Sequence, residues 1–256
     1  MTRRARIESA TGIYHVMLRG INRQNIFENR NDYKRFKECL EKAKEARDLK
    51  IFGYCFMSNH VHIVAGIGSE PIGTSLKRIG VSYASCYNRK YNRQGALFQD
   101  RFRSEPVEDD KYLLAVVRYV HQNPVRAEIC KTAADYEWSS YADYIGEGDG
   151  LTDTNELLEL FSNKPSEQVG LFEEFTREAG EEKFVDIGGV VCVSDEAIRE
   201  KIADICGARS VGEFQGLPAD EREQAIRMMR KSGISIRQIV RFTGASFWIA
   251  RSYGRG

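Results

Sequence analysis

The sequence predicts an α+β fold: a ferredoxin-like antiparallel sheet with helices on one face, followed by a helical C-terminal region with a helix-turn-helix. Three observations predict it. Short β-branched and aromatic runs alternate with amphipathic stretches in the order β-α-β-β-α-β-α as far as Gln122. Hydrophobic residues make up 42% of the 256 residues, enough for a substantial core. Near the C-terminus, residues 233–246 have the pattern Gly-x-Ser-Ile-Arg-Gln-Ile-Val-x-x-Thr-Gly-Ala-Ser, the spacing of two short helices around a turn.

Each element has its own signal. Ile13-Tyr-His-Val-Met-Leu-Arg-Gly20 alternates and is rich in strand formers. Asn31-Asp32 is positioned to cap a helix to about Arg47, with Tyr33, Phe36, Leu40 and Ala43 at helical spacing. Two strands follow, residues 51–57 and 61–67, joined by a Ser58-Asn59 turn. Gly73 to Tyr91 reads as a second helix with Leu76, Ile79, Tyr83 and Tyr87 along one side. Phe102 to Val107 reads as a fourth strand. Asp109-Asp110 caps a third helix, which the sequence ends before Asn123-Pro124, since the residue before proline is biased away from helix. From Asp153 to about Arg209 the pattern is helical and acidic, with Gly188 to Val193 as a short strand or extended link. Helices are expected at 220–231, 236–242 and 247–253. The corresponding domain division is 1–146, an acidic connecting region 147–213, and a helix-turn-helix module 214–256.

Charge is distributed unevenly. The whole chain carries a net +1, but residues 1–150 carry +5, residues 151–213 carry −9 and residues 214–256 carry +5. Two basic modules flanking an acidic segment point to an anionic partner such as nucleic acid. The six cysteines, 39, 55, 86, 130, 192 and 206, are widely spaced, which gives neither a zinc ribbon nor a disulfide framework and suits a cytoplasmic protein. The first residues, Met1-Thr-Arg-Arg-Ala-Arg, lack the apolar core of a secretion signal, and no apolar run is long enough for a membrane span.

Chemistry is concentrated at Ser58-Asn-His-Val-His-Ile-Val64. Alternation along a strand puts His60 and His62 on one face and Val61 and Ile63 on the other. Paired imidazoles on a rigid strand are a start on a divalent-metal site. Tyr119 and Asn123 lie four residues apart, so a helix presents them together, a phenol as nucleophile and an amide oxygen as further ligand. Tyr112, seven residues earlier on the same helix, is the rival nucleophile. A histidine-triad hydrolase would need a third alternating histidine, and position 64 is Val64. His15 is placed to flank the site, and His121 falls on another side of its helix from Tyr119.

Taken in order, Arg19-Gly-Ile-Asn-Arg23, His60-Val-His62, Leu97-Phe-Gln-Asp-Arg-Phe-Arg103, Tyr119 with Asn123-Pro-Val-Arg-Ala127, and Tyr136-Glu-Trp-Ser-Ser-Tyr141 resemble the REP-associated tyrosine transposases. These are single-tyrosine, HUH-class relatives of insertion-sequence transposases. The resemblance covers roughly residues 8–145. It implies a Mg²⁺- or Mn²⁺-dependent enzyme that nicks and rejoins single-stranded, hairpin-forming DNA through a 5′-phosphotyrosine intermediate, as a monomer or homodimer. On that reading His60, His62 and Asn123 hold the metal and Tyr119 is the nucleophile. The alternative is a non-catalytic regulator that binds hairpin DNA with the same fold. Arginines interleaved with aromatic residues or set along strands supply the expected DNA contacts: Arg19, Arg23, Arg89, Arg93, Arg101 and Arg103, with Arg237, Arg241 and Arg251 in the C-terminal module.

Overall fold

The computed structural model describes residues 8–99, 101–178, 195–232, 234, 236–246 and 249–250, with the backbone alone for 195–198, 236 and 237. Four strands form one antiparallel sheet: β1 (Ile13–Arg19), β2 (Lys50–Met57), β3 (His60–Gly66) and β4 (Arg103–Val107), in the order β2-β3-β1-β4. Helices α1 (Arg30–Arg47) and α2 (Ile72–Lys90) connect them in the expected rhythm. The sheet's alternation divides its side chains in two. Tyr14, Val16, Leu18, Tyr54, Phe56, Val61 and Ile63 pack with α1 and α2. Cys55, Met57, Val64 and Val107 pack on the opposite face with α3 (Asp110–Arg126). The two-helix layer is therefore on one face as expected, and α3 closes the other.

Helix boundaries differ instructively from the sequence reading. The cap of α1 is Asn29, which accepts from Asn31 N while Asp32 returns a bond to the cap backbone. Asp109 caps α3 by accepting from Tyr112 N, as expected. Helix α3 does not stop before Pro124 but runs through it to Arg126. Proline removes one donor there, and with only the last turn remaining the helix continues, with Ala127 N bonding Asn123 O. Asn123 thereby stays on the helix.

The family-like sequence blocks have visible structural work. Gly20 sits where a Cβ would lie 2.2 Å from Gln24 O, so the tight turn between Arg19 and Arg23 excludes a side chain. That turn is pinned by Ile21 N to Leu97 O and Gln99 N to Arg19 O, both 2.9 Å. The 136–141 segment lies along the outer edge of β2: Tyr136 donates to Phe56 O, Phe56 N to Trp138 O and Ser140 N to Tyr54 O. It satisfies backbone groups that an open edge strand would expose.

The segment after 146 packs in two places. Short helices α4 (Tyr141–Tyr144) and α5 (Asn155–Leu158) and helix α6 (Pro165–Arg177) join the core around α3, where Phe172 stacks on Tyr144. Helices α7 (Asp195–Cys206) and α8 (Val211–Gly216) instead share a core with α9 (Ala219–Lys231) and α10 (Ile236–Thr243). The acidic charge thus decorates two packed units whose apolar residues the charge count did not weigh. The residues 188–193 expected as a strand or link lie outside the described residues, as do Phe247 and Trp248 of the third C-terminal helix.

Candidate active site

The centre of the sheet places three histidines under α3. In the antiparallel register His62 lies opposite Met17 and Cys55, His60 opposite Arg19 and Met57, and His15 opposite Val64 and Glu105. His15 and His62 are therefore diagonal neighbours on one face, a geometry that brings long side chains together. Their rings stack at 5.2 Å, and His15 Nε2 lies 2.9 Å from His62 Nδ1. His60 and His62 have ring centroids 5.0 Å apart.

Tyr119 projects from α3 onto this pair. Its ring meets His62 at 5.6 Å and His15 at 5.9 Å, both edge-on. The Arg126 guanidinium lies 5.1 Å from the centre of the Tyr119 ring, two turns along the same helix. Tyr119 is 5% exposed and its hydroxyl is buried. Asn123 is half-buried one turn further on. The expected nucleophile and the expected histidines thus meet within one chain. Tyr112, two turns earlier on α3, instead hydrogen-bonds Glu105 on β4, at the His15 end of the cluster.

The electrostatics favour neutral imidazole at His62. Burial pushes its pKa well below the ordinary value, and charge on His60 or His15 would push it the same way. Its Nε2 is buried with no hydrogen-bond partner among the described residues. At His60 the Asn59 Oδ1 lies 2.7 Å from Nδ1 and accepts its proton, which leaves the lone pair on Nε2. An imidazole with its Nδ1 proton engaged and its lone pair on Nε2, as at His60, beside the neutral His62, suits a divalent cation. Among the described residues no group of three or more His, Cys, Asp or Glu side chains is arranged to hold a metal. A cation held by two imidazoles alone would keep its other positions for water and phosphate oxygen.

The expected DNA-contacting arginines separate into groups. Arg103 is exposed on β4, opposite Met17 and so in the same cross-strand row as His62. Arg101 is exposed just before it, and Arg89 is exposed near the end of α2. Arg19 lies half-buried opposite His60, and Arg23 half-buried in the turn behind it. Two others serve the fold. Arg93 bonds Ala96 O and Gln24 Oε1, and Arg241 bonds Asn25 Oδ1 and Ser58 Oγ. Charge and spacing in the sequence do not reveal these intramolecular acceptors. The Arg237 side chain and Arg251 lie outside the described residues. Among contacts that sequence reasoning missed are Asn59, Glu105 and Arg126. Strand parity puts Glu105 on the same face as Arg103, but only the β1–β4 register shows that it faces His15.

Residues 9–123 match the family described as IS200-like transposases. No curated protein matches. A solved structure of a REP-associated tyrosine transposase bound to a REP hairpin superimposes with a TM-score of 0.54 at 16% identity, covering 76% of this chain and 100% of that one. No helix among the described residues is long and apolar enough to cross a membrane. Residues 9–123 are thus similar to the IS200-like transposases, and the chain carries an α+β fold like that of a REP-associated tyrosine transposase.

Proposed function

We propose that this protein is a metal-dependent DNA strand transferase that nicks and rejoins single-stranded, hairpin-forming DNA, with Tyr119 as nucleophile. The observation that carries the proposal is the packing of the Tyr119 ring 5.6 Å from His62, beside a second imidazole 5.0 Å away. A Mg²⁺ or Mn²⁺ ion held by His60 and His62, with Asn123 as a further ligand, would polarise the scissile phosphate and stabilise its developing charge. Tyr119 supplies the bond-making oxygen. Its phenol, with an ordinary pKa of ~10, gives up a proton as the oxygen attacks phosphorus. The P–O3′ bond breaks, a free 3′-hydroxyl leaves, and the 5′ phosphate remains on Tyr119. The Arg126 guanidinium over the ring favours the electron-rich phenolate. Because the phosphodiester energy is kept in the phosphotyrosine, a 3′-hydroxyl can attack it and reverse the step onto a new end.

The surrounding residues bind and exclude. Arg101 and Arg103, at the start of β4, are placed to hold phosphates, with Arg19, Arg23 and Arg89 extending the basic path. The C-terminal helices are assigned to the hairpin stem. The buried Tyr119 hydroxyl requires α3 and its neighbours to open as the strand enters.

A labelled single-stranded hairpin oligonucleotide incubated with Mn²⁺ tests this. The proposal expects a covalent adduct that Tyr119→Phe abolishes while hairpin binding persists. Binding without an adduct in the wild-type chain would make the protein a hairpin-DNA regulator, and cleavage surviving Tyr119→Phe would make it a water-using phosphodiesterase.

A further inference from the structure

Behind the His60–His62 pair runs a second row of side chains that the proposed chemistry does not use. The Glu105 carboxylate lies 3.8 Å from His15 Nδ1, and His15 Nε2 lies 2.9 Å from His62 Nδ1. His15 and His62 are 1% and 0% exposed, and the Tyr112 hydroxyl hydrogen-bonds Glu105 from α3. Three strands and a helix thus converge on one line: Tyr112, Glu105 on β4, His15 on β1, His62 on β3.

We propose that Glu105 and His15 are positioning residues that hold His62 with its proton on Nδ1 and its lone pair on Nε2, the form that binds a cation. This rests on the assignment of His62 as a metal ligand. Electrostatics selects the direction of the row. The Glu105 carboxylate favours the His15 proton on the nitrogen facing it, Nδ1, so His15 Nε2 is an acceptor. His62 Nδ1–H then donates to it, and His62 Nε2 carries the lone pair. The reverse tautomer would turn the His15 Nδ1 lone pair toward the Glu105 carboxylate and bury an N–H at His62 Nε2, where no acceptor lies among the described residues. The arrangement is a carboxylate–histidine–histidine series, one imidazole longer than the usual carboxylate–histidine support of a metal ligand. It also accounts for a histidine on the central strand that touches neither solvent nor the proposed substrate path.

The test uses the full chain, metal-free, with ¹⁵N-labelled histidine. Four histidines give four assignable rings. Long-range ¹H–¹⁵N correlation should show His62 protonated on Nδ1 and bare on Nε2. His15→Phe should shift His62 toward the other tautomer and weaken Mn²⁺ binding, by titration calorimetry, about 10–100-fold. His15→Gln, which restores an acceptor, should recover most of that loss. Glu105→Ala, at a partly exposed strand position, should weaken Mn²⁺ in the same direction without disturbing the fold. A wild-type His62 protonated on Nε2, or a folded His15→Phe with unchanged tautomer and affinity, overturns the proposal. The tautomer is read without DNA or metal, so it stands or falls separately from Tyr119 chemistry.

Discussion

Arg241 donates to Ser58 Oγ at 2.5 Å, and so ties the C-terminal helices to the turn that presents His60. The same arginine bonds Asn25 Oδ1, and its carbonyl accepts from Asn25 N at 3.1 Å. Nearby, Arg199 of α7 donates to Phe27 O and pairs with the buried carboxylate of Glu28 at 3.3 Å. The C-terminal unit is docked on the 24–28 segment and on the β2–β3 turn.

Removing that tie should loosen the turn. Arg241→Ala deletes two charge-assisted hydrogen bonds and should lower unfolding free energy by about 1.5–3 kcal/mol, read by urea titration. It should also raise amide exchange at Ser58 and Asn59. Unchanged stability and exchange would mean that the docking contributes nothing.

Arg103 should act on DNA rather than on the fold. It is exposed on β4 in the row of His62. Arg103→Ala should weaken hairpin binding and reduce the slope of log affinity against log salt by about 1, with thermal stability unaltered. A salt slope equal to that of the wild type would remove it from the phosphate path.

Acid should destabilise the protein through His121. Its Nε2 lies 2.7 Å from Ser140 Oγ, the ring is wholly buried, and desolvation lowers its pKa to about 3. The unfolded chain binds that proton below the ordinary value of ~6.5, and the folded chain refuses it down to about 3. Stability is therefore full above the unfolded value and falls as pH drops from there, on the order of 1 kcal/mol per unit for this group. His62, also depressed, adds to the same slope in the metal-free protein. His121→Gln should remove about half of the slope between pH 6 and 4 measured by urea unfolding. A slope unaffected by the substitution would contradict the assignment.

How much of this was legible in the sequence depends on the range of the interaction. Strand alternation, helical spacing and the Asp109 cap are local, so the β-α-β-β-α-β-α order and the sharing of a face by His60 and His62 could be read directly. The meeting of Tyr119 with those histidines came from resemblance, because nothing local relates a helix at 110–126 to a strand at 60–66. Three things were illegible for the same reason. The His15–His62 contact depends on the β1–β3 register. The capture of Arg241 by Ser58 depends on how two units dock. The packing of Phe172 against Tyr144 depends on an acidic stretch folding back over α3. Pro124 misled in the other direction: its local rule is sound, but at the last turn of a well-packed helix the lost donor is too small an effect to end the helix early.

The most direct measurement is the identity of the residue that carries DNA. Wild-type protein should be reacted with a hairpin oligonucleotide and Mn²⁺, digested with protease and nuclease, and sequenced by mass spectrometry. The account predicts a nucleotide 5′-phosphate on Tyr119. A nucleotide on Tyr112 or any other residue, or cut DNA with no residue modified, would contradict it.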